Sequence, residues 1–359
     1  MSTDERAVRD LLAPHDPAAH LRVDDDQRAR ARVAALAAAE TAPPRAHRPA
    51  RRGRWLLAAA AGAAAAAGAA AVVAAAGVVA VNAAPPAYAG PPPPPLAVAP
   101  AELHDARDEL LALAETAEDR PAARGAGADV AYVHTSEWTL TASQNADTDE
   151  AGWGVLPVDR RVWRSLEDSG YAVEQPQPPE HLSGDPDPLT QLFSEGPTEE
   201  EWGDGEGGNG MFLTWKPDTL PTDPDELAAR LSTVHGVDSG SSAQLFAGIQ
   251  TLYTEMPVEP EVQAGILRAL ADRDDVRFAG TATDREGREG LLFLTEDRES
   301  AEGEVLQRRL MFDPETAAPL YHETVVVRSE YATPADLPLV NNYTALVETA
   351  WVEEVREAP

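Results

Sequence analysis

From Trp55 to Val81 the chain carries no charge and, apart from the Trp55 indole, no hydrogen-bonding side chain: WLLAAAAGAAAAAGAAAVVAAAGVVAV. A helix rises about 1.5 Å per residue, so this stretch spans roughly 40 Å, more than the ~30 Å hydrocarbon core of a bilayer. Inside lipid the backbone must satisfy its own hydrogen bonds, and an Ala-rich run does so as a helix. Alanine adds little to insertion, so Leu56, Leu57, Val72, Val73, Val78, Val79 and Val81 carry most of it. Arg45, Arg48, Arg51, Arg52 and Arg54 precede the run, and positive charge stays on the cytoplasmic side. The expected topology is a cytoplasmic tail (1–54), a transmembrane helix (55–81), a Pro-rich linker (82–101) and an extracytoplasmic domain (102–359). The expected location is the cell membrane, with the lipid bilayer as partner of Trp55–Val81. A buried Ala-rich helix of a soluble protein would not need so long a run or so basic a flank. A cleaved export signal is the other alternative, since Ala87-Tyr88-Ala89 matches an A-x-A site and Arg51-Arg52 is a twin arginine. The 54-residue leader and the length of the run argue against it.

Charge divides the chain at the same place. Residues 1–54 hold 11 Arg against 8 acidic residues, a net of +3; the remainder holds 18 basic and 53 acidic residues, a net of −35. So acidic a body repels nucleic acid, which is excluded as a partner, and anionic head groups. The chain has no cysteine, so it forms no disulfide, thiol nucleophile or Cys-based zinc site. The tail carries two short helical patterns, one around Val8, Leu11 and Leu12 that Pro14 stops, and one over 24–40. Val33 and Leu36 are the only large apolar residues of the second. That is too few for a core, so the tail reads as partly disordered, with a docking helix for a cytoplasmic protein partner such as a sigma factor as the functional alternative.

After the run, Pro85-Pro86 and Pro91–Pro95 read as a semi-rigid spacer. Residues 102–118 read as a helix with Leu103, Leu110, Leu111 and Leu113 on one side. Val130–Thr141 reads as a strand, followed by shorter ones over 152–156, 158–166 and 171–175. Residues 176–210 read as a Pro-, Gly- and acid-rich loop, followed by a strand in MFLTW (211–215). Three helices come next. Asp223 and Pro224 open the first, Ser241 or Ser242 caps the second and Pro257 ends it, and the third covers 259–271. Each shows a narrow apolar stripe, as one buried face requires. The rest reads as an antiparallel meander over 276–283, 290–295, 305–312, 320–328 and 343–355. Expected core residues are Phe278, Leu292, Leu294, Leu310, Phe312, Val325, Val327, Val347 and Trp351, with Val347, Trp351 and Val355 on one buried face of the last strand. The expected fold class is α+β: an antiparallel, half-barrel-like meander with a cluster of helices, preceded by one transmembrane helix.

No motif carries chemistry. Gly205, Gly207 and Gly210 spell G-x-G-x-x-G, but follow an acidic loop instead of a strand. Asp204, Glu206 and Asn209 lack the terminal bidentate Glu of a calcium loop. His104, His134, His181, His235 and His322 are scattered, and no nucleophile elbow occurs. Glu199-Glu200-Glu201 read as solvated loop charges. Asn342-Tyr343-Thr344 is a sequon with no expected role. Asp284, Arg288 and Asp313 read as turn chemistry, with Gly287 supplying a positive φ. No catalytic, cofactor or metal residue is expected, and the protein is not expected to be an enzyme.

Two turns nevertheless resemble a known pattern. Asp284, Gly287, Arg288 and Gly290, then Phe312, Asp313, Pro314 and Thr316, are similar to turns in the C-terminal part of an uncharacterised actinobacterial family of single-pass membrane proteins. The basic-flanked apolar run and the helix trio fit the same family, though Ala317-Ala318 stand where its members have Gly. The resemblance implies topology and fold, not an activity. More distantly, the element order is similar to the lipoprotein-carrier-like half-barrel of envelope-stress regulators. The expected function is a membrane-anchored envelope protein whose outer domain senses a ligand or binds a partner, with an anti-sigma-like output through the tail. The alternative is a carrier or scaffold for an apolar lipid. A filled core without lipid cargo is expected, with any binding surface on the acidic loop 195–210 and the outer sheet face.

Overall fold

β-branched and aromatic residues dominate Val130–Asn145, which becomes the longest strand, β3, and the rest of the sheet is built on it. The computed structural model describes residues 55–58, 94–96, 103–145, 151–184, 190, 193–203, 213–233, 240–299, 303–330 and 337–359. All belong to one compact unit, Gly53–Pro359. The strands before β3 are β1 (Trp55–Ala58) and β2 (His104–Asp105); after it come β4 (Ala151–Val155), β5 (Val158–Ser165), β6 (Gly170–Pro176), β7 (Glu180–Gly184) and β8 (Thr198–Trp202). The C-terminal strands are β9 (Arg277–Thr283), β10 (Glu289–Asp297), β11 (Glu304–Phe312), β12 (Pro319–Ser329) and β13 (Leu339–Val352). The helices are α1 (Arg107–Glu118), α2 (Pro224–Ser232), α3 (Ser242–Glu255) and α4 (Pro260–Ala271).

The chain is a mixed α+β protein with an open antiparallel sheet in the order β2-β9-β10-β11-β12-β13-β3-β5-β6-β8. Two meanders, β3-β5-β6-β8 and β9 to β13, meet where β13 pairs with β3. The helices α2 to α4 fall in the connection between them. Beyond Thr139 the far end of β3 leaves β13 and pairs with β4 and β1, and β4 pairs with β7.

The helices lie on one face, the inner face. Phe293, Leu310, Phe312, Leu346 and Trp351 from the strands and Leu245, Phe246, Ile249, Leu252, Ile266 and Leu267 from the helices form one cluster. Close helix contact depends on Gly248, where a Cβ would lie 2.1 Å from the Leu231 carbonyl oxygen of α2. Asp223 caps α2 by accepting from the Asp225 and Glu226 amides, and Ser241 caps α3.

The structure departs from sequence expectation in several places. α3 is buried around almost its whole circumference, not along a stripe. Its polar side is absorbed by polar partners: Thr214 donates to Glu255, and Arg164 donates to the Thr254 and Glu255 carbonyls. Glu199-Glu200-Glu201 are not loop charges but most of β8, an edge strand on β6. On this edge the charges face solvent and discourage further pairing. β7 also falls inside the stretch read as a loop, whereas Leu213, Thr214 and Trp215 form no strand. The helix expected from 102 starts at Arg107, because His104 and Asp105 pair with β9. On β13 a register shift between Leu346 and Glu348 reverses the alternation, so Leu346 and Trp351 share the inner face while Val347 is 38% exposed.

The tail (1–54) and residues 59–81 of the apolar run lie outside the described residues. Trp55–Ala58 is a strand on Ala142–Asn145 of β3, not the first turn of a helix. A span that begins at Trp55 and this pairing exclude each other, because the span would put Trp55–Ala58 across the bilayer from β3. No helix among the described residues is long and apolar enough to cross a membrane.

Candidate functional site

The outer face of the sheet is built by the side chains that alternate away from the helices. On β12 these are Tyr321 and Glu323, which pair with Ala345 and Tyr343 of β13. Tyr343 in turn faces Trp138 of β3. The three rings form a ladder: Trp138 stacks on Tyr343 at 5.8 Å and 7°, and Tyr321 on Tyr343 at 5.6 Å and 26°. Arg285, from the β9–β10 turn, lies 5.2 Å over the Tyr343 ring. Glu180 of β7 accepts from the Trp138 indole N–H on the other side.

Beside the ladder sits a buried polar node. Glu323 is fully buried, accepts from Arg309 Nη1 at 2.8 Å and from the Tyr321 hydroxyl at 3.0 Å, and so keeps a compensated charge. Burial and the Glu323 carboxylate both push the Tyr321 phenol up. The Glu323 carboxylate also accepts the Leu96 backbone N–H at 3.2 Å. Leu96 is 5% exposed and packs with Ala279, Leu292, Leu294, Met311 and Tyr321. Arg285 Nη2 donates to the Pro94 carbonyl at 2.5 Å. The segment expected to be a passive spacer therefore touches the outer face through a side chain, an amide and a carbonyl.

At the β8 end the outer face is acidic. Tyr171 donates to Glu199 at 2.6 Å, and Arg356 lies 4.0 Å over the Tyr171 ring while pairing with Glu201. The part of the expected acidic binding loop from 204 to 210, with its glycines and Asp204, Glu206 and Asn209, lies outside the described residues.

The inner face carries a second polar layer. Arg308 and Asp297 form an ion pair, each side chain 2% exposed, with Nε and Nη2 both 2.8 Å from Oδ2. His322 is one strand over from Arg308; burial first, then the Arg308 charge, push its pKa down to about 3, so it is neutral at physiological pH. Neither of its ring nitrogens, nor Thr324 Oγ1, has a hydrogen-bond partner among the described residues. Arg164 is held down to about 9 by burial and by Arg160. Burial raises Glu255 against the pull of Thr214 and Arg164.

The remaining residues singled out in the sequence do not converge. His104 is exposed on β2, His181 lies on β7, and His235 falls outside the described residues. His134 Nε2 lies 2.6 Å from Asp159, but no hydroxyl is bonded to its other nitrogen among the described residues, so a base without a nucleophile results. Asn342 is 7% exposed, which leaves its sequon buried. Asp284 makes its turn by accepting the Glu286 and Arg288 amides, with Gly287 at φ 81°. Arg288 does more than turn chemistry, donating to the Leu346 and Leu320 carbonyls of β13 and β12. In the other turn Ala317 has φ 54°, the left-handed region that glycine occupies without strain. Described His, Asp and Glu side chains form no metal-binding group.

A cleft of about 310 Å³ opens beside α4, walled by Arg120, Tyr253, Gln263 and Trp351 among others. Its walls are largely self-satisfied: Tyr253 donates to Gln263, Gln263 to the Ala317 carbonyl, and Trp351 to the Pro257 carbonyl. That volume is at the lower end for small-molecule sites, so the cleft suits a fragment-sized group at most. The outer face, with its ladder and its bound segment, is the stronger candidate. Comparison with protein-family models, with curated proteins and with solved structures gave no match.

Proposed function

We propose that this chain is a single-pass, membrane-anchored envelope protein whose extracytoplasmic domain senses a ligand or binds a partner through its outer sheet face. The half-barrel likeness to lipoprotein-carrier-like stress regulators, the regulatory output through residues 1–54 and the absence of catalysis belong to the same reading. The observation that carries binding over lipid carriage is the occupancy of the inner face. Phe293, Phe312, Leu245, Ile249, Leu252 and Ile266 are each fully buried there, so an acyl chain would have to displace them. The groups open to a partner, the exposed Glu199, Glu200 and Glu201 and the half-buried Tyr343, are on the other side. Anchoring is supported by the apolar run and its arginine flank, and it requires Trp55–Ala58 to leave the pairing with β3 described above.

Reporter fusions test the topology. An enzyme active only outside the membrane, fused after Pro359, is expected to be active, and the same enzyme fused before Trp55 is expected to be silent. Activity at both positions, or the reverse pattern, overturns the anchored reading. Activity at both positions would favour the arrangement in which Trp55–Ala58 stays on β3.

A further inference from the structure

The linker is built to be recognised. In Pro91–Pro95 no residue has a backbone N–H, so Leu96 is the first after the run that can donate one. That amide is the one the buried Glu323 carboxylate accepts. A proline segment offers only carbonyls to a polar partner, and the Pro94 carbonyl is the one Arg285 takes. The Arg285 guanidinium is in turn held over Tyr343, whose ring is sandwiched between Trp138 and Tyr321. An apolar pocket lined by Ala279, Leu292, Leu294 and Met311 receives the Leu96 side chain. One donor for a carbonyl, one acceptor for an amide and an apolar pocket edged by the Tyr321 ring are parts that a proline-rich peptide site uses.

We propose that the outer sheet face is a docking groove for proline-rich segments, and that its resident occupant is this chain's own Pro94–Leu96 segment. The groove is filled in cis because a tethered segment has a high effective concentration, which a free peptide must overcome. Docking holds the segment over Tyr321 and the apolar pocket beside it; release uncovers them. The proposal rests on the outer face as the binding surface but not on membrane topology.

The test uses the intact chain and a fluorescent peptide of residues 90–100, GPPPPPLAVAP. In the Leu96→Asp chain, a carboxylate is placed beside Glu323 and expels the strap without touching the sheet. The peptide is expected to bind that chain at least about tenfold more tightly than the unchanged chain. A peptide carrying Asp in place of its leucine is expected to bind neither. Circular dichroism and the thermal midpoint of the Leu96→Asp chain, expected to match the unchanged protein within a few degrees, show that the groove remains folded. Equal affinity for the two chains, or no binding to a folded Leu96→Asp chain, overturns the proposal. Because the readout needs no bilayer, its failure is separate from a failure of the reporter experiment.

Discussion

Trp351→Ala is expected to cost about 3–5 kcal/mol of stability, while Val347→Ala, four residues earlier on the same strand, costs no more than about 0.5 kcal/mol. Trp351 is 8% exposed and packs into the inner core. Its indole N–H donates to the Pro257 carbonyl at 3.2 Å, and the Arg124 guanidinium lies 5.5 Å over the ring. Alanine would remove the packing, strand that carbonyl and enlarge a cleft already about 310 Å³ in volume. Simple alternation along β13 puts both residues on one face. The register shift between Leu346 and Glu348 separates them. Urea midpoints of the two variants measure the difference. Similar losses in both would mean that β13 runs without that shift.

Asp297→Ala is expected to be comparably damaging, at about 3–5 kcal/mol, because it leaves the Arg308 guanidinium charged and buried. The pair is 2% exposed on each side. His322 next to it is neutral and supplies no counter-charge. The Coulomb energy of the intact pair is largely offset by desolvation, so removing both charges is much milder than removing one. Asp297→Ala combined with Arg308→Met is therefore expected to recover most of the loss. Guanidinium unfolding of the two single variants and the double variant measures this. A double variant as unstable as Asp297→Ala would show that Arg308 does not depend on Asp297.

Local chemistry was readable from the chain. Asp223 before Pro224 announced a helix start, and Asp284 with Gly287 announced a turn; both are built that way. Alternation placed the C-terminal strands, and Leu292, Leu310 and Phe312 in the core. What escaped depends on partners far away in sequence. Glu199-Glu200-Glu201 look like solvent-facing loop residues until β6 supplies a strand for them to pair with. Thr254 and Glu255 look like the wet side of an amphipathic helix until Thr214 and Arg164 arrive. The Val347 error arose because a bulge has no signature in an alternating pattern. The linker is the extreme case. Pro91–Pro95 reads as a spacer, and nothing near Leu96 reveals that its amide meets a carboxylate 227 residues away.

The central claim, that the outer face holds the segment ending at Leu96, is tested most directly by hydrogen exchange at the Leu96 amide of the intact chain. An amide donated to a buried carboxylate and covered by packed side chains opens only when the strap releases. The account predicts exchange at least about 100-fold slower than at the same residue in a free peptide of residues 90–100, a protection abolished in the Arg285→Ala, Leu96→Asp chain. Exchange at Leu96 as fast as in the free peptide would contradict it.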